Sequence, residues 1–419
     1  MKLLYVVLDG APDSQRSPRK TLEEAHKPNI DSLARNSVGG LMYTVAPGVA
    51  PESDVAVMSI LGYDPERYYT GRGPLEALGA SMDLLGVAFR ANFATVDPRT
   101  LKILDRRVGR SLTSGEAREL AKAIDSMKLM GGRAVARFKA TIGHRGVLVI
   151  GHESSPLSSW VTNTDPAYER RGHYSVALPR FENRVAPSKP MDDSPEARLT
   201  AELVNEFTYK AIEILDSHEV NMRRAERGLP KGNAVLLRDP GDRAPEAEPT
   251  SQKFGMTFSC IAEMPVEVGI ARSLGMKAVS IEVEGRQREE VLREEAHLAL
   301  MALEETDAVY VHLKGPDEPG HDGDFEGKVR AVEAIDRHFF SPLLDRLDVE
   351  KAMILVTSDH QTPWDLRAHG DGPVPFMISH PSFPSREQRF AESYRGTMET
   401  LDRGFKLLPL VAEIRRRLT

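Results

Sequence analysis

The stretch LLYVVLDG, residues 3–10, decides the fold. Its six consecutive apolar residues show no polar alternation, which suits a parallel strand buried on both faces, and Asp9-Gly10 ends the run. Three other runs are built alike: AVYVHL (308–313) before Lys314-Gly315-Pro316, AMILVTS (352–358) before Asp359-His360, and PVPFMIS (373–379) before His380. TFSCIA (257–262) and AVSIEV (278–283) are shorter candidates. Between them, EVGIARSLGM (267–276) and REEVLREEAHLALMALEE (288–305) repeat apolar residues at helical spacing. Strands alternating with helices predict an α/β architecture, a mostly parallel sheet with helices on both faces.

A chain of 419 residues exceeds one ordinary core, so two domains are expected. The middle differs in texture. It mixes short elements, a polar helix around 194–227, a Pro/Ser-rich charged loop at 151–193 and a linker, DPGDRAPEAEPTS, at 239–251. The expectation is therefore one domain from residues 1–84 and 252–419, with a smaller α/β domain, 85–251, inserted into it. A formal charge of -7 and a pI near 6.0 argue against wrapping nucleic acid or sitting on an anionic membrane. The single cysteine, Cys260, excludes an intrachain disulfide and a cysteine-rich zinc site. In MTFSCIA it reads as a small buried residue. The apolar run at the N-terminus is too short for a signal peptide, and no run reaches a membrane span. A cytoplasmic protein is expected.

In open α/β sheets, ligands bind at the carboxyl ends of strands. Asp9 follows one strand, Asp359-His360 another, and Asp317 and His321 a third, in KGPDEPGHDGD; His369 lies in the loop between the last two. Each has a plainer explanation alone. Asp9-Gly10 makes a turn, Asp359-His360 can cap a helix, and His369 can be a solvated loop residue. Asp322 and Asp324 read as solvated loop acids, and His312 as packed within its strand. Together, Asp9, Asp317, Asp359, His321, His360 and His369 are about what two metals need with positions left open for substrate. Mixed Asp and His ligands suit Mn²⁺ or Zn²⁺. Two such metals activate a hydroxyl for phosphoryl transfer. The candidate hydroxyl is Ser53, in GVAPESDVAVMSILGYDP, where a Gly/Pro turn meets a helix-compatible run. A serine there can be an N-cap, and the same place favours phosphoserine.

The chain resembles the archaeal-type cofactor-independent phosphoglycerate mutases, a branch of the alkaline phosphatase superfamily. The resemblance covers most of the chain. It is carried by VVLDG (6–10), PESDVAVMSILGYDPERYYTGRGPLEALG (51–79), FRANFATVD (89–97), DRRVGR (105–110), VHLKGPDEPGHDGDFEGKV (311–329), TSDHQTP (357–363) and HGDGPVPF (369–376). It implies an alkaline phosphatase-like fold. It also implies two divalent ions, Mn²⁺ foremost, with Zn²⁺, Co²⁺ or Mg²⁺ as substitutes, and no 2,3-bisphosphoglycerate. Asp317, His321 and His369 would hold one ion; Asp9, Ser53, Asp359 and His360 the other. Ser53 would take the phosphoryl group of 3-phosphoglycerate and return it to the 2-position. Substrate contacts would come from Asp105, Arg106, Arg107, Arg110, Arg238 and Arg243 of the inserted domain, and from Lys314. The family pattern has a histidine four residues after the serine and a glycine before it; here these are Val57 and Glu52. Those departures keep two rivals open: a phosphomonoesterase or other phosphomutase on the same scaffold, and a non-catalytic phosphometabolite-binding relative.

Overall fold

A computed structural model describes residues 1–172, 174–178 and 180–418. In chain order its strands are β1 (Lys2–Leu8), β2 (Ser37–Met42), β3 (Gly86–Val96), β4 (Ile103–Asp105), β5 (Met127–Leu129), β6 (Ala134–Ala140) and β7 (Arg145–His152). Then come β8 (Tyr168–Arg171), β9 (Tyr174–Ala177), β10 (Ala234–Gly241), β11 (Phe258–Ala262), β12 (Lys277–Ser280), β13 (Ala308–Leu313), β14 (Ala352–Thr357) and β15 (Val374–Ser379). The chain divides into two compact units, Met1–Tyr69 with Glu246–Thr419, and Thr70–Pro245.

The first unit is built on a seven-stranded sheet ordered β12-β11-β13-β1-β14-β15-β2. β1 lies between β13 and β14 and is parallel to both, with Val7 opposite His312 on one side and Thr357 on the other. β15 and β2 add an antiparallel edge. Side chains alternate between the faces of β1. Leu4, Val6 and Leu8 pack with Leu292, Ala296, Phe339 and Phe340, while the Tyr5 hydroxyl on the other face donates to Ile60 O at 3.0 Å. Helices thus cover both faces, so β1 carries no polar position between residues 3 and 8.

β2 has no counterpart among the sequence expectations, because SVGGLM lacks an apolar run. Its glycines are what make it a strand here. A Cβ on Gly39 would stand 2.1 Å from Phe376 O, so only a bare backbone can lie this close to β15.

The second unit holds a sheet ordered β10-β3-β7-β6-β5, with β4 on β3, and all its pairings are antiparallel. Helices Ser114–Ile124 and Pro195–Asp216 cover it, burying Leu120, Ile124, Leu203 and Phe207 against Phe89, Ala91 and Phe93. This unit begins at Thr70 rather than at 85, because the Arg72–Gly79 helix packs on β3 and β10. The long helix expected at 194–227 is two helices, broken where His218 caps Glu219–Glu226 by accepting from Val220 N. Within the supposed linker, residues 239–241 still belong to β10, and the loop at 151–193 contains the β8–β9 hairpin. No helix among the described residues is long and apolar enough to cross a membrane.

Candidate active site

The parallel register of β1, β13 and β14 brings their carboxyl ends to one edge of the first unit's sheet. Asp9, Lys314 and Asp359 leave that edge together. Gly10 turns the chain away at φ +59, donating its N–H to Asp359 Oδ1 at 3.1 Å. No side chain fits there: a Cβ would lie 2.5 Å from Thr362 Oγ1 and 2.7 Å from Asp317 Oδ1. Asp317 and His321 stand one turn apart on the helix Asp317–Asp322, so both project to the same side.

Ser53 is the first residue of the helix Ser53–Ile60; Glu52 occupies the N-cap position. This corrects the expectation of a serine cap. The Ser53 Oγ lies instead 3.1 Å from His360 Nε2. Glu52 is exposed at the surface, and Val57 is buried within the helix.

The expected ligands of the first unit gather around this hydroxyl. Asp317, His360 and His369 present ligand atoms within 4.8 Å of one another. His321 Nε2 is 3.5 Å and His369 Nε2 3.6 Å from Asp317 Oδ1. The His369 ring stacks on His360 at 3.8 Å, and its Nδ1 bonds to Pro51 O at 2.7 Å, leaving Nε2 facing the cluster. His360 Nε2 is 3.1 Å from Asp359 Oδ2 and 3.5 Å from Asp9 Oδ1, while its Nδ1 meets Thr362 Oγ1 at 3.1 Å. Asp324 is exposed, as expected, and also caps the helix Phe325–Ile335, accepting from Gly327 N at 2.8 Å.

Two residues that the sequence did not single out complete the cluster. His312 is fully buried as expected, but it joins Asp9 and Asp359 in a second group with ligand atoms within 4.8 Å. Glu267, on the helix Pro265–Ser273, reaches His312 Nδ1 at 3.2 Å and Lys314 Nζ at 2.7 Å. Lys314 also holds Asp9 Oδ2 at 3.0 Å. Its ammonium is therefore engaged by two carboxylates, where a phosphate contact was expected. No periodicity marks either residue: one is next to last in its strand, the other in the first turn of its helix.

The electrostatics call for cations. Four carboxylates (Asp9, Glu267, Asp317 and Asp359) share one lysine, leaving three negative charges when the imidazoles are neutral. Burial raises Asp9 to about 6, against the pull of Lys314. Burial alone would lower His312 and His360, yet the neighbouring carboxylates, Asp359 above all, lift them to about 9 and about 10. Protons thus take the place of positive charge at this edge. Buried Asp9 Oδ1, Asp359 Oδ2 and His312 Nε2 have no hydrogen-bond partner. Buried ligand-type atoms left unpaired and facing one another fit a metal site.

The second unit holds the remaining expected residues. Arg106 is engaged by Asp165 in a two-pronged pair at 3.0 and 2.7 Å, which leaves it less free for substrate than expected. Arg107 and Arg110 are exposed, and Asp105 accepts from Arg107 N at 2.7 Å. Arg243 is exposed. Arg238 is buried with its guanidinium 3.8 Å over the Tyr168 ring. Arg90, absent from the expectations, is lowered to about 9 by burial and by Arg238 and Arg72 nearby. Burial and Arg145, Arg107, Arg90 and Arg110 likewise lower His144 to about 4. This is a concentration of positive charge suited to anions.

A family model described as 2,3-bisphosphoglycerate-independent phosphoglycerate mutase matches residues 34–221. The curated protein of that name from Aeropyrum pernix is 59% identical, covering 98% of each chain. One from Archaeoglobus fulgidus is 37% identical over 99% of this chain and 98% of its own. Among solved structures, the cofactor-independent phosphoglycerate mutase from Thermoplasma acidophilum has a TM-score of 0.61 and 28% identity, with 98% of each chain covered. A Pyrococcus horikoshii protein has a TM-score of 0.76 and 26% identity, covering 99% of this chain and 97% of its own. The chain belongs to the family of 2,3-bisphosphoglycerate-independent phosphoglycerate mutases.

Proposed function

We propose that this isomerase interconverts 3-phosphoglycerate and 2-phosphoglycerate through a phosphoserine on Ser53, in the cytoplasm and with two bound divalent ions, Mn²⁺ foremost. Asp9, Ser53, Asp359 and His360 hold one ion in this reading, and Asp317, His321 and His369 the other. Two adjacent divalent ions supply charge for the phosphoryl oxygens and acidify a bound hydroxyl. Ser53 Oγ attacks phosphorus, an Oγ–P bond forms, and the bond from phosphorus to the 3-oxygen breaks. Glycerate leaves with the 3-oxygen protonated, the proton given up by Ser53 Oγ balancing the step. Its 2-oxygen then forms a bond to the phosphoserine phosphorus as the Oγ–P bond breaks, and the 2-hydroxyl proton balances the one Ser53 Oγ regains. No outside phosphate donor enters the balance. The N–H groups of the first turn of Ser53–Ile60 favour the anion carried there. On the second unit, Arg107, Arg110, Arg238 and Arg243 form in this reading an anion-binding face for the substrate, with Asp105 holding a glycerate hydroxyl.

One observation carries the proposal: the Ser53 hydroxyl stands 3.1 Å from His360 amid carboxylates that outnumber the one lysine they share. Rapid acid quenching during turnover, with peptide mass spectrometry, is expected to find phosphate on Ser53. Turnover without bisphosphoglycerate is expected to give 2-phosphoglycerate well in excess of free phosphate. Dominant phosphate release would make the enzyme a phosphomonoesterase, and an active Ser53→Ala variant would remove the serine from the chemistry.

A further inference from the structure

We infer that His312 is itself a metal ligand, binding through Nε2 to the ion held by Asp9 and Asp359, with Glu267 fixing the imidazole; this rests on the two-metal reading above. Each carboxylate of the pair has one oxygen tied to protein and one left over. Asp359 Oδ1 accepts from Gly10 N and His360 N, each at 3.1 Å, and its Oδ2 has no hydrogen bond. Asp9 Oδ2 pairs with Lys314 at 3.0 Å, and its Oδ1 has none. On His312 neither ring nitrogen has a hydrogen bond, and the two face different carboxylates. Its Nδ1 lies 3.2 Å from Glu267 Oε1, whereas Nε2 faces the two leftover oxygens.

The separations suit shared coordination better than hydrogen bonding. His312 Nε2 is 3.5 Å from Asp359 Oδ2 and 3.9 Å from Asp9 Oδ1. Ligands about 2.1 Å from one ion lie about 3.0 Å apart at a 90° angle and about 3.6 Å apart at 120°, so 3.5 Å falls in that range and 3.9 Å corresponds to about 136°. His360 Nε2 falls in the same range from the same two oxygens, at 3.1 and 3.5 Å. His312 thus adds an imidazole to the set Asp9, Ser53, Asp359 and His360. Glu267 does for His312 what outer carboxylates do for histidine ligands: its oxygen faces Nδ1–H as an acceptor, which selects the tautomer with a lone pair on Nε2 and holds the ring plane. The same carboxylate also grips Lys314, so ligand and ammonium are fixed by one side chain.

The test is cobalt titration of the metal-stripped chain, read by bound metal per chain and by visible absorption. Wild type is expected to bind two ions. His312→Ala is expected to keep the Asp317 site, which doubles as a check on folding, and to lose the second ion by 10²-fold or more in affinity, with its absorption bands changed. Free imidazole is expected to restore both. Glu267→Gln is expected to weaken the same ion by 10–100-fold while leaving the other. Two ions bound by His312→Ala with wild-type affinity and an unchanged spectrum would overturn the inference and leave the proposed reaction standing. A wild-type chain that binds no cobalt would overturn both.

Discussion

Lys328 and Asp13 form an ion pair at 2.7 Å with both side chains 0% exposed, and breaking it should be among the costliest single changes available to the first unit. The ammonium finds three acceptors: Asp13 Oδ1, Thr362 O at 2.7 Å and Pro12 O at 3.3 Å. Asp13 in turn accepts from Trp364 N at 3.1 Å, Thr21 N at 2.8 Å and Thr21 Oγ1. Asp13→Ala leaves a buried ammonium with two neutral carbonyls and strips two backbone N–H groups of their acceptor. Removing one partner of a buried pair costs about 3–5 kcal/mol. That is roughly 10²–10⁴ in the unfolding equilibrium, with the orphaned N–H groups adding to it. Lys328→Met alone should cost a similar amount. The double variant Asp13→Asn/Lys328→Met, which buries no charge, should recover about 2 kcal/mol or more relative to the sum. Urea unfolding reports this through Trp364 fluorescence in a Trp160→Phe background, since these are the two tryptophans of the chain. An Asp13→Ala cost below about 1 kcal/mol, with the urea slope unchanged, would be a surface-pair value and would refute the reasoning.

Exhaustive EDTA treatment is expected to abolish mutase activity and added Mn²⁺ to restore it; activity surviving complete removal of metal would count against the two-ion site. His144 gives a pH prediction. Its folded value of about 4 lies below the ordinary ~6.5, so it stays neutral in the folded chain while the unfolded chain protonates. Its contribution to stability is then whole above about pH 6.5 and declines as pH falls toward 4. Imidazole NMR should show His144 neutral at pH 5.5, and added phosphate should raise its midpoint if the surrounding arginines take up the anion; a midpoint near 6.5 without phosphate would contradict the burial and the arginine field.

The sheet of the first unit was legible where burial on both faces demanded unbroken apolar runs, as in 3–8, 308–313 and 352–358. β2 was not, because Gly39 answers to the neighbouring backbone and leaves no pattern of its own. The start of the second unit was obscured in the same way, since the Arg72–Gly79 helix reveals its allegiance only by packing on β3 and β10. Asp9, Asp317, Asp359 and His360 could be read as a set because polar residues just past apolar strands are hard to explain otherwise. His312 read as a packed strand residue and Glu267 as one position of a helical run, and only three-dimensional placement shows their polar atoms meeting. The ion-pair partner of Arg106 was hidden for a related reason: Asp165 lies 59 residues along the chain.

The place of β1 at the middle of its sheet has a consequence for synthesis. Leu3–Leu8 emerges about 300 residues or more ahead of its neighbours, residues 308–313 and 352–357. At about 5–20 residues per second, roughly 15–60 s pass before the earlier of those partners leaves the ribosome. For all that time a greasy, β-prone hexapeptide has both its edges unmatched. The nascent chain must be shielded over that interval, by chaperones or by provisional contacts with the segments that follow it, because the edge carrying Asp9, Lys314 and Asp359 cannot assemble until β1 has been joined by its late neighbours.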